Sequence, residues 1–405
     1  MVLIIHYTRI NCHDAAKNLH ALIGIHNIHC SGAAQQTDTP FLKRYCMNLL
    51  ESQLDYPFGE TLPDTGTLLQ VAAGVYWLRM GLPFALNHIN LWLLEDQFDD
   101  GTGQAHVPGW TVIDCGIAND ATRLAWQTIF ADGLGGLPIK RVLATHCHPD
   151  HVGLADWLCQ QWQAPLWMTT GEYAYARLMS AALPGLDGNA MLPHFRRHGL
   201  TDPALIEQLE ERRHHFRTTV PSVPDAYVRI QDQQLIRIGH HQWRVITGFG
   251  HAPEHASLYC ATLNVLIAGD MVLPRISTNV SVFAIEPEAN PVQLYLDSLK
   301  KFADLPVNTL VLPSHGKPFC GLHTRITQLN DHHVARLAEV VEACARPHSA
   351  AEIVPMMFPR KLDGHQLSFA LGEALAHLHK LWFDGVLQRE MCADGIWRFV
   401  RRLQH

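Results

Sequence analysis

Thr145-His146-Cys147-His148-Pro149-Asp150-His151 is the stretch that decides how this chain is read. It places His146, His148, Asp150 and His151 within six positions, directly after the apolar run Arg141-Val142-Leu143-Ala144. Neutral imidazole nitrogens and a carboxylate are preferred ligands for Zn²⁺ and similar divalent ions. Alternating histidines followed by Asp and His do not share one helix face. The segment therefore reads as a loop leaving a strand, with side chains turned toward two neighbouring ion positions. With 27 His and 38 acidic residues in 405, a window matches H-x-H-x-[DE]-H with a probability of about 3 × 10⁻⁵, or roughly one per cent over the chain. Chance is a poor account of it.

Length and composition set the frame. A chain of 405 residues, 47% hydrophobic and 17% charged, can bury a large core and form two domains. The net charge of −7 gives no electrostatic footprint for nucleic acid, although a local basic groove stays open. Ten scattered cysteines without C-x-x-C pairs read as free thiols in a reducing compartment. No apolar run reaches membrane-span length and Met1–His6 lacks a basic leader, so the cytoplasm is the expected location.

Residues 1–46, with five His, three Cys and little periodicity, read as a poorly packed extension or an over-called reading frame. Met47 offers an alternative start. From Thr67 onward strands alternate with helices: strands at Tyr76–Arg79, His88–Leu94, Trp110–Asp114 and Arg141–Ala144, with helices at Ala121–Phe130 and Val152–Gln161. In the first helix Leu124, Trp126 and Ile129 are candidate core positions. Residues 171–225 read as an inserted helical arm or lid, and strands resume at Leu235–Ile238, Trp243–Ile246, Ser257–Cys260, Val265–Ala268 and Thr309–Leu312. Leu371, Leu375, Leu378 and Trp382 define an amphipathic helix that Gly385 caps, and an Ala393-Asp394-Gly395 turn joins two short strands. The division expected is 47–340 as a catalytic domain and 341–405 as a small winged helix.

Further metal-type side chains follow later strands. His251 and His255 come after Trp243–Ile246, Asp270 after Val265–Ala268, and His315 after Thr309–Leu312, each beside a glycine where the chain can turn sharply.

In these ordered motifs the chain resembles the metallo-β-lactamase-fold hydrolases over roughly residues 68–335, with spacing most similar to the glyoxalase II and lactonase group. The resemblance implies a four-layer αββα sandwich. It implies that His146, His148 and His251 hold one ion, that Asp150, His151 and His315 hold a second, and that Asp270 bridges them. Asp114, in Asp114-Cys115-Gly116, matches the family's early Asp-x-Gly, whose role is structural support. Glu254 stands where many relatives have Gly in the His-x-x-Gly-His stretch. The C-terminal unit differs from the glutathione-binding helical domain of glyoxalase II.

Two divalent ions are expected, zinc ahead of iron or manganese, activating a bridging hydroxide that cleaves a small ester, thioester or lactone. Asp150 is the candidate to orient the attacking oxygen, and His255 reads as structural. Cys147, pointing away from the ligands, reads as inert and His88 as a core histidine. The pairs His214-His215, His240-His241 and His332-His333 read as solvated, as do Arg196-Arg197-His198 and Arg212-Arg213, with contact to an anionic substrate as the sharper alternative. The partner expected is a small molecule, without a membrane, and a homodimer is compatible with the sequence. Alternatives are a phosphodiesterase or nuclease, an iron sulfur dioxygenase on a similar ligand set, or a structural metal. Eight Lys/Arg against seven Asp/Glu in 341–405 weigh against nucleic acid, and seven candidate ligands weigh against a closed structural site.

Overall fold

The computed structural model describes residues 50–99, 106–184, 186 and 188–402; the expectations for residues 1–46 and for the start at Met47 lie outside them. Two sheets form because the apolar runs are strand-length and end at turn residues. The first contains β1 (Leu69–Ala72), β2 (Val75–Gly81), β3 (His88–Asp99), β4 (His106–Ile113), β5 (Ile139–Leu143), β6 (Leu166–Met168) and β7 (Tyr227–Arg229), side by side in chain order. β1 to β4 pair antiparallel, whereas β4 to β7 pair parallel. The second sheet has β8 (Leu235–Ile238), β9 (His241–Gly248), β10 (His255–Cys260), β11 (Val265–Gly269) and β12 (Leu310–Pro313), in the order β12-β11-β10-β9-β8. Only β11 and β12 run parallel there. β10 and β11 are buried along their whole length, which is why they read as unbroken apolar runs.

Trp77, Trp92, Ile113 and Leu143 of the first sheet meet Trp243, Leu258, Ile267 and Leu312 of the second in a continuous inter-sheet layer. Helices cover both outer faces. On the first lie α1 (Asp120–Thr128), α2 (Pro149–Val152), α3 (Ala155–Trp162) and α4 (Thr170–Ser180). The insertion continues with α5 (Met191–Arg197), α6 (Pro203–Glu211) and α7 (His215–Thr219). On the second sheet lie α8 (Pro291–Leu299) and α9 (Leu322–Ala343), whose Leu299 and Leu329 pack with Ile246, Leu266 and Val311.

The chain ends in α10 (Ala350–Met357), α11 (Gly364–Phe383) and a hairpin of β13 (Leu387–Met391) and β14 (Trp397–Arg401). Ser349 and Glu352 form a reciprocal cap on α10. Leu371, Leu375 and Leu378 are fully buried in the same cluster as Leu299 and Phe302. At Gly385, φ 74°, the amide donates to the Trp382 carbonyl while that of Val386 donates to Leu381, closing α11 as expected.

Two local expectations are corrected, and one strand carried no expectation. Leu124 is 64% exposed, because it lies about 200° around the helix from Trp126, whereas Trp126 and Ile129 share the buried side. The helix expected over Val152–Gln161 is broken between α2 and α3, where the Leu154 amide donates to the Gly116 carbonyl instead of continuing the helical ladder. β7, three residues at the sheet edge, was too short to stand out as a strand.

Trp243 is fully buried between the sheets. Trp243→Ala is expected to lower the unfolding free energy by about 3–5 kcal/mol, measured by urea titration; a loss below about 1 kcal/mol would show that the inter-sheet layer does not depend on it.

Candidate metal centre

Parallel pairing brings the carboxyl ends of β4 and β5, and of β11 and β12, to one edge of the sandwich. The loop after β5 carries His146 and His148, and α2 carries Asp150 and His151; His251 follows β9, Asp270 follows β11 and His315 follows β12. The Ala256 amide donates to the Thr145 carbonyl at 2.8 Å, joining the two sheets at this edge.

All seven converge. His146, His148, His251 and Asp270 form one cluster of donor atoms within 4.8 Å of one another, and Asp150, His151 and His315 form a second. In the first, His146 Nε2 lies 2.9 Å from His148 Nδ1 and 3.2 Å from His251 Nε2. In the second, His315 Nε2 and His151 Nε2 lie 3.5 and 3.8 Å from Asp150 Oδ2. Asp270 belongs to both: Oδ2 is 3.4 Å from His251 Nε2, and Oδ1 is 3.5 and 3.6 Å from His315 and His151. Donors around a tetrahedral ion with bonds of ~2.0–2.1 Å stand roughly 3.3–3.4 Å apart, so the spacings suit divalent ions.

The unsatisfied atoms point the same way. His151 Nε2, His315 Nε2 and both Asp270 oxygens are buried without a hydrogen bond, a costly arrangement unless a cation completes it. Meanwhile the other ring nitrogens are engaged. His251 Nδ1 donates to the Asn279 carbonyl (2.7 Å) and His315 Nδ1 to that of His88 (2.9 Å). His151 Nδ1 donates to Asp114 (2.8 Å), and His146 Nδ1 contacts Thr145 Oγ1 (3.1 Å). Each leaves Nε2 for an ion. Burial and the surrounding imidazoles hold His146 well below the ordinary histidine range, so it stays neutral. Burial also acts on His151, but Asp114, Asp150 and Asp270 outweigh it and raise its pKa to about 9. Burial opposes ionisation of Asp270, yet His315 and His151 draw its pKa well below the carboxylate norm.

His255 does not join either cluster. Its Nε2 accepts the Asp270 amide at 3.1 Å, which removes that lone pair from any ion. Gly269, φ 57°, permits this approach, since a Cβ there would sit 2.2 Å from His255 Nε2. Cys147 is buried and its thiol pKa is pushed up by burial and by Glu172. His88 is half-exposed and accepts the Gly316 amide at 2.8 Å, holding the His315 turn. His333 is fully buried against His377 (3.2 Å), correcting its reading as solvated: it lies on the inner face of α9.

Several supports carried no motif. Asn90 accepts from Trp77 Nε1 and donates to the carbonyls of Pro313 and Gly316, tying β3 to the His315 turn. Glu172, fully buried on α4, accepts the Cys147 amide (2.8 Å) and the Glu254 amide (2.5 Å), clamping the two histidine loops together. Burial raises its pKa to about 7. Glu254, the departure from the family pattern, accepts the Gly171 amide in the first turn of α4 (2.9 Å), where helix ends favour a carboxylate. Burial and these short-range partners are three-dimensional facts, without a sequence signal.

A cavity of about 450 Å³ opens beside His148 and Pro149. Its walls come from α4 to α7, from residues 283–285 and from α11. Arg196, Arg212 and Arg213 line it, whereas Arg197 does not; His198, expected on a solvated face, is instead buried, because at the end of α5 its ring packs against that of His194.

The profile of the metallo-beta-lactamase superfamily matches residues 108–315, and that of the metallo-beta-lactamase-like C-terminal domain matches 337–402. This chain belongs to the metallo-β-lactamase superfamily. With two clusters capable of holding divalent ions, it is a metal-dependent hydrolase. It is similar to a beta-lactamase domain protein from Burkholderia ambifaria, 54% identical with a TM-score of 0.82, over 88% of this chain and all of that one. The metallo-beta-lactamase family protein TTHA1429 from Thermus thermophilus is 28% identical with a TM-score of 0.68, over 82% of this chain and all of that one. The probable metallo-hydrolase YqjP of Bacillus subtilis (strain 168) is 23% identical over 326 residues, 79% of this chain and 94% of its own length. Among the described residues no helix is long and apolar enough to cross a membrane.

Glu172→Ala removes the acceptor shared by the two histidine loops. It is expected to weaken metal retention by roughly 10–100-fold, measured by competition with a chelator; wild-type retention would show that the clamp does not set the geometry.

Proposed function

We propose that this hydrolase cleaves a small ester, thioester or lactone at a two-ion centre, in the manner of the glyoxalase II and lactonase group. His146, His148 and His251 would hold one ion, Asp150, His151 and His315 the other, with Asp270 available to both. The observation that carries this reading is the position of Asp270, with one oxygen toward each cluster and neither hydrogen-bonded. When bound, two such ions lower the pKa of a water toward neutrality and polarise a substrate carbonyl. The imidazole and carboxylate donors suit zinc, ahead of iron or manganese.

The chain's own groups do the rest. Asp150 accepts a hydrogen bond from the attacking water and aims it. The water oxygen bonds to the acyl carbon, the C–O or C–S bond breaks, and the leaving alcohol or thiol takes the proton. No thiol nucleophile is needed, and Cys147 is a poor one because burial keeps it protonated. Asp114 and His255 hold the loops without touching substrate. We read 47–340 as the catalytic domain, 171–225 as its cavity-forming insertion, and 341–405 as a winged-helix unit whose α11 completes the cavity wall.

Protein purified without added metal is expected to carry two zinc equivalents per chain and to hydrolyse members of an ester, thioester and lactone panel. One iron with oxygen consumption would overturn this in favour of a dioxygenase, and activity confined to phosphodiesters would favour a nuclease. Asp270→Ala should stay folded, lose metal, and lose more activity than the roughly 10–100-fold typical of outer-shell changes. Full metal content with retained activity would refute the bridging role.

A further inference from the structure

We infer that the substrate carries a long apolar chain next to its scissile bond, seated in the cavity beside His148; this rests on the hydrolase reading above. At about 450 Å³ the space falls in the range of roughly 300–1,000 Å³ typical of small-molecule sites. It is far larger than an acetyl or hydroxyacyl group requires. Its wall is built from Met179, Phe195, Leu209, Phe216, Phe283 and Phe369, which come from five helices and one loop. Of these, Phe195 is fully buried and the other five are half-buried, so apolar surface faces the cavity.

Such a wall selects by desolvation. Arg196, Glu210, Arg212 and Arg213 also reach the cavity, but a sugar or peptide group seated against the six apolar side chains would lose its water there without gaining hydrogen bonds, whereas each methylene moved from water gains about 0.8 kcal/mol. His148 and Pro149 line the same cavity as Leu209 of α6 and Phe369 of α11, so a chain filling it adjoins the first ion cluster. The chain therefore belongs to the reacting molecule itself. It can sit on the acyl side or on the leaving-group side of the bond, and the experiment separates these.

Two ester series are measured on the metal-loaded enzyme, one lengthening the acyl chain and one the alcohol. In one of them kcat/KM should rise about fourfold per methylene until the cavity is full; the series that rises identifies the side. Binding of linear 2-alkanones, inert neutral carbonyl compounds, is measured by calorimetry in parallel. Their affinity should rise with length in the same way. Leu209→Asp, and Phe369→Ala as a second variant, should reduce the ratio of long-chain to short-chain affinity at least tenfold. Flat ketone affinity, or two flat ester series, overturns the inference while leaving the hydrolase reading intact. Failure to cleave any ester, thioester or lactone with two ions bound overturns the substrate class proposed above, and the ketone series still decides whether the cavity takes an apolar chain.

Discussion

At the end of β4 the backbone of Asp114 turns into the left-handed region, φ 63°, and its buried carboxylate takes hold of the histidine loop. It accepts the Thr145 amide at 2.7 Å, the Thr145 hydroxyl at 2.9 Å and His151 Nδ1 at 2.8 Å. A non-glycine residue in that region costs about 1–2 kcal/mol, while hydrogen bonds to a charged acceptor contribute about 1.5–3 kcal/mol each. Three of them outweigh the strain. The consequence is positional: His151 presents Nε2 to the second cluster, and Thr145 is fixed one residue before His146. Without this anchor the six-position motif would be a flexible acidic and imidazole loop.

The anchor works because the strands beside it cannot slide. β4 and β5 pair in parallel with Ile113 opposite Leu143, and both residues are buried in the inter-sheet layer. A one-residue slip would turn these side chains to the opposite face. The second parallel pair repeats the device with β11 and β12, which place Asp270 and His315 at neighbouring strand ends. Asn90 and the Thr145–Ala256 bond then fasten the sheets together where the clusters meet. Two separately built half-sites thus arrive at a common set of distances.

Much of this was legible in the residues because metal chemistry restricts the choice of side chain. His146, His148, Asp150, His151, His251, Asp270 and His315 are polar groups beyond apolar strands, where period and composition mark them as candidates together with His255, and the family resemblance separates the seven from it. The supports were hidden for the opposite reason. Glu172 reads as an ordinary first-turn helix acid, and Asn90 as a polar interruption in a strand. Their importance lies in being fully buried, which depends on neighbours distant in sequence. Leu124 and His333 were misplaced because facing depends on helix phase, and one residue shifts it by about 100°.

The C-terminal unit links the two parts of the site. Gly372 on α11 lies against Ser281, where a Cβ would come 2.7 Å from that residue's own, and its carbonyl accepts the Val282 amide at 3.0 Å. Glu373 next to it accepts from Asn279, whose carbonyl in turn fixes His251. One turn of helix therefore bears both on an imidazole of the first cluster and on the segment that supplies Phe283 to the cavity. Chemistry and cavity shape are built by different stretches of chain, yet this contact ties them to one another. A change in how α11 docks would alter the cavity and the first ion cluster at once, whereas changes confined to α5 to α7 would reshape the cavity alone.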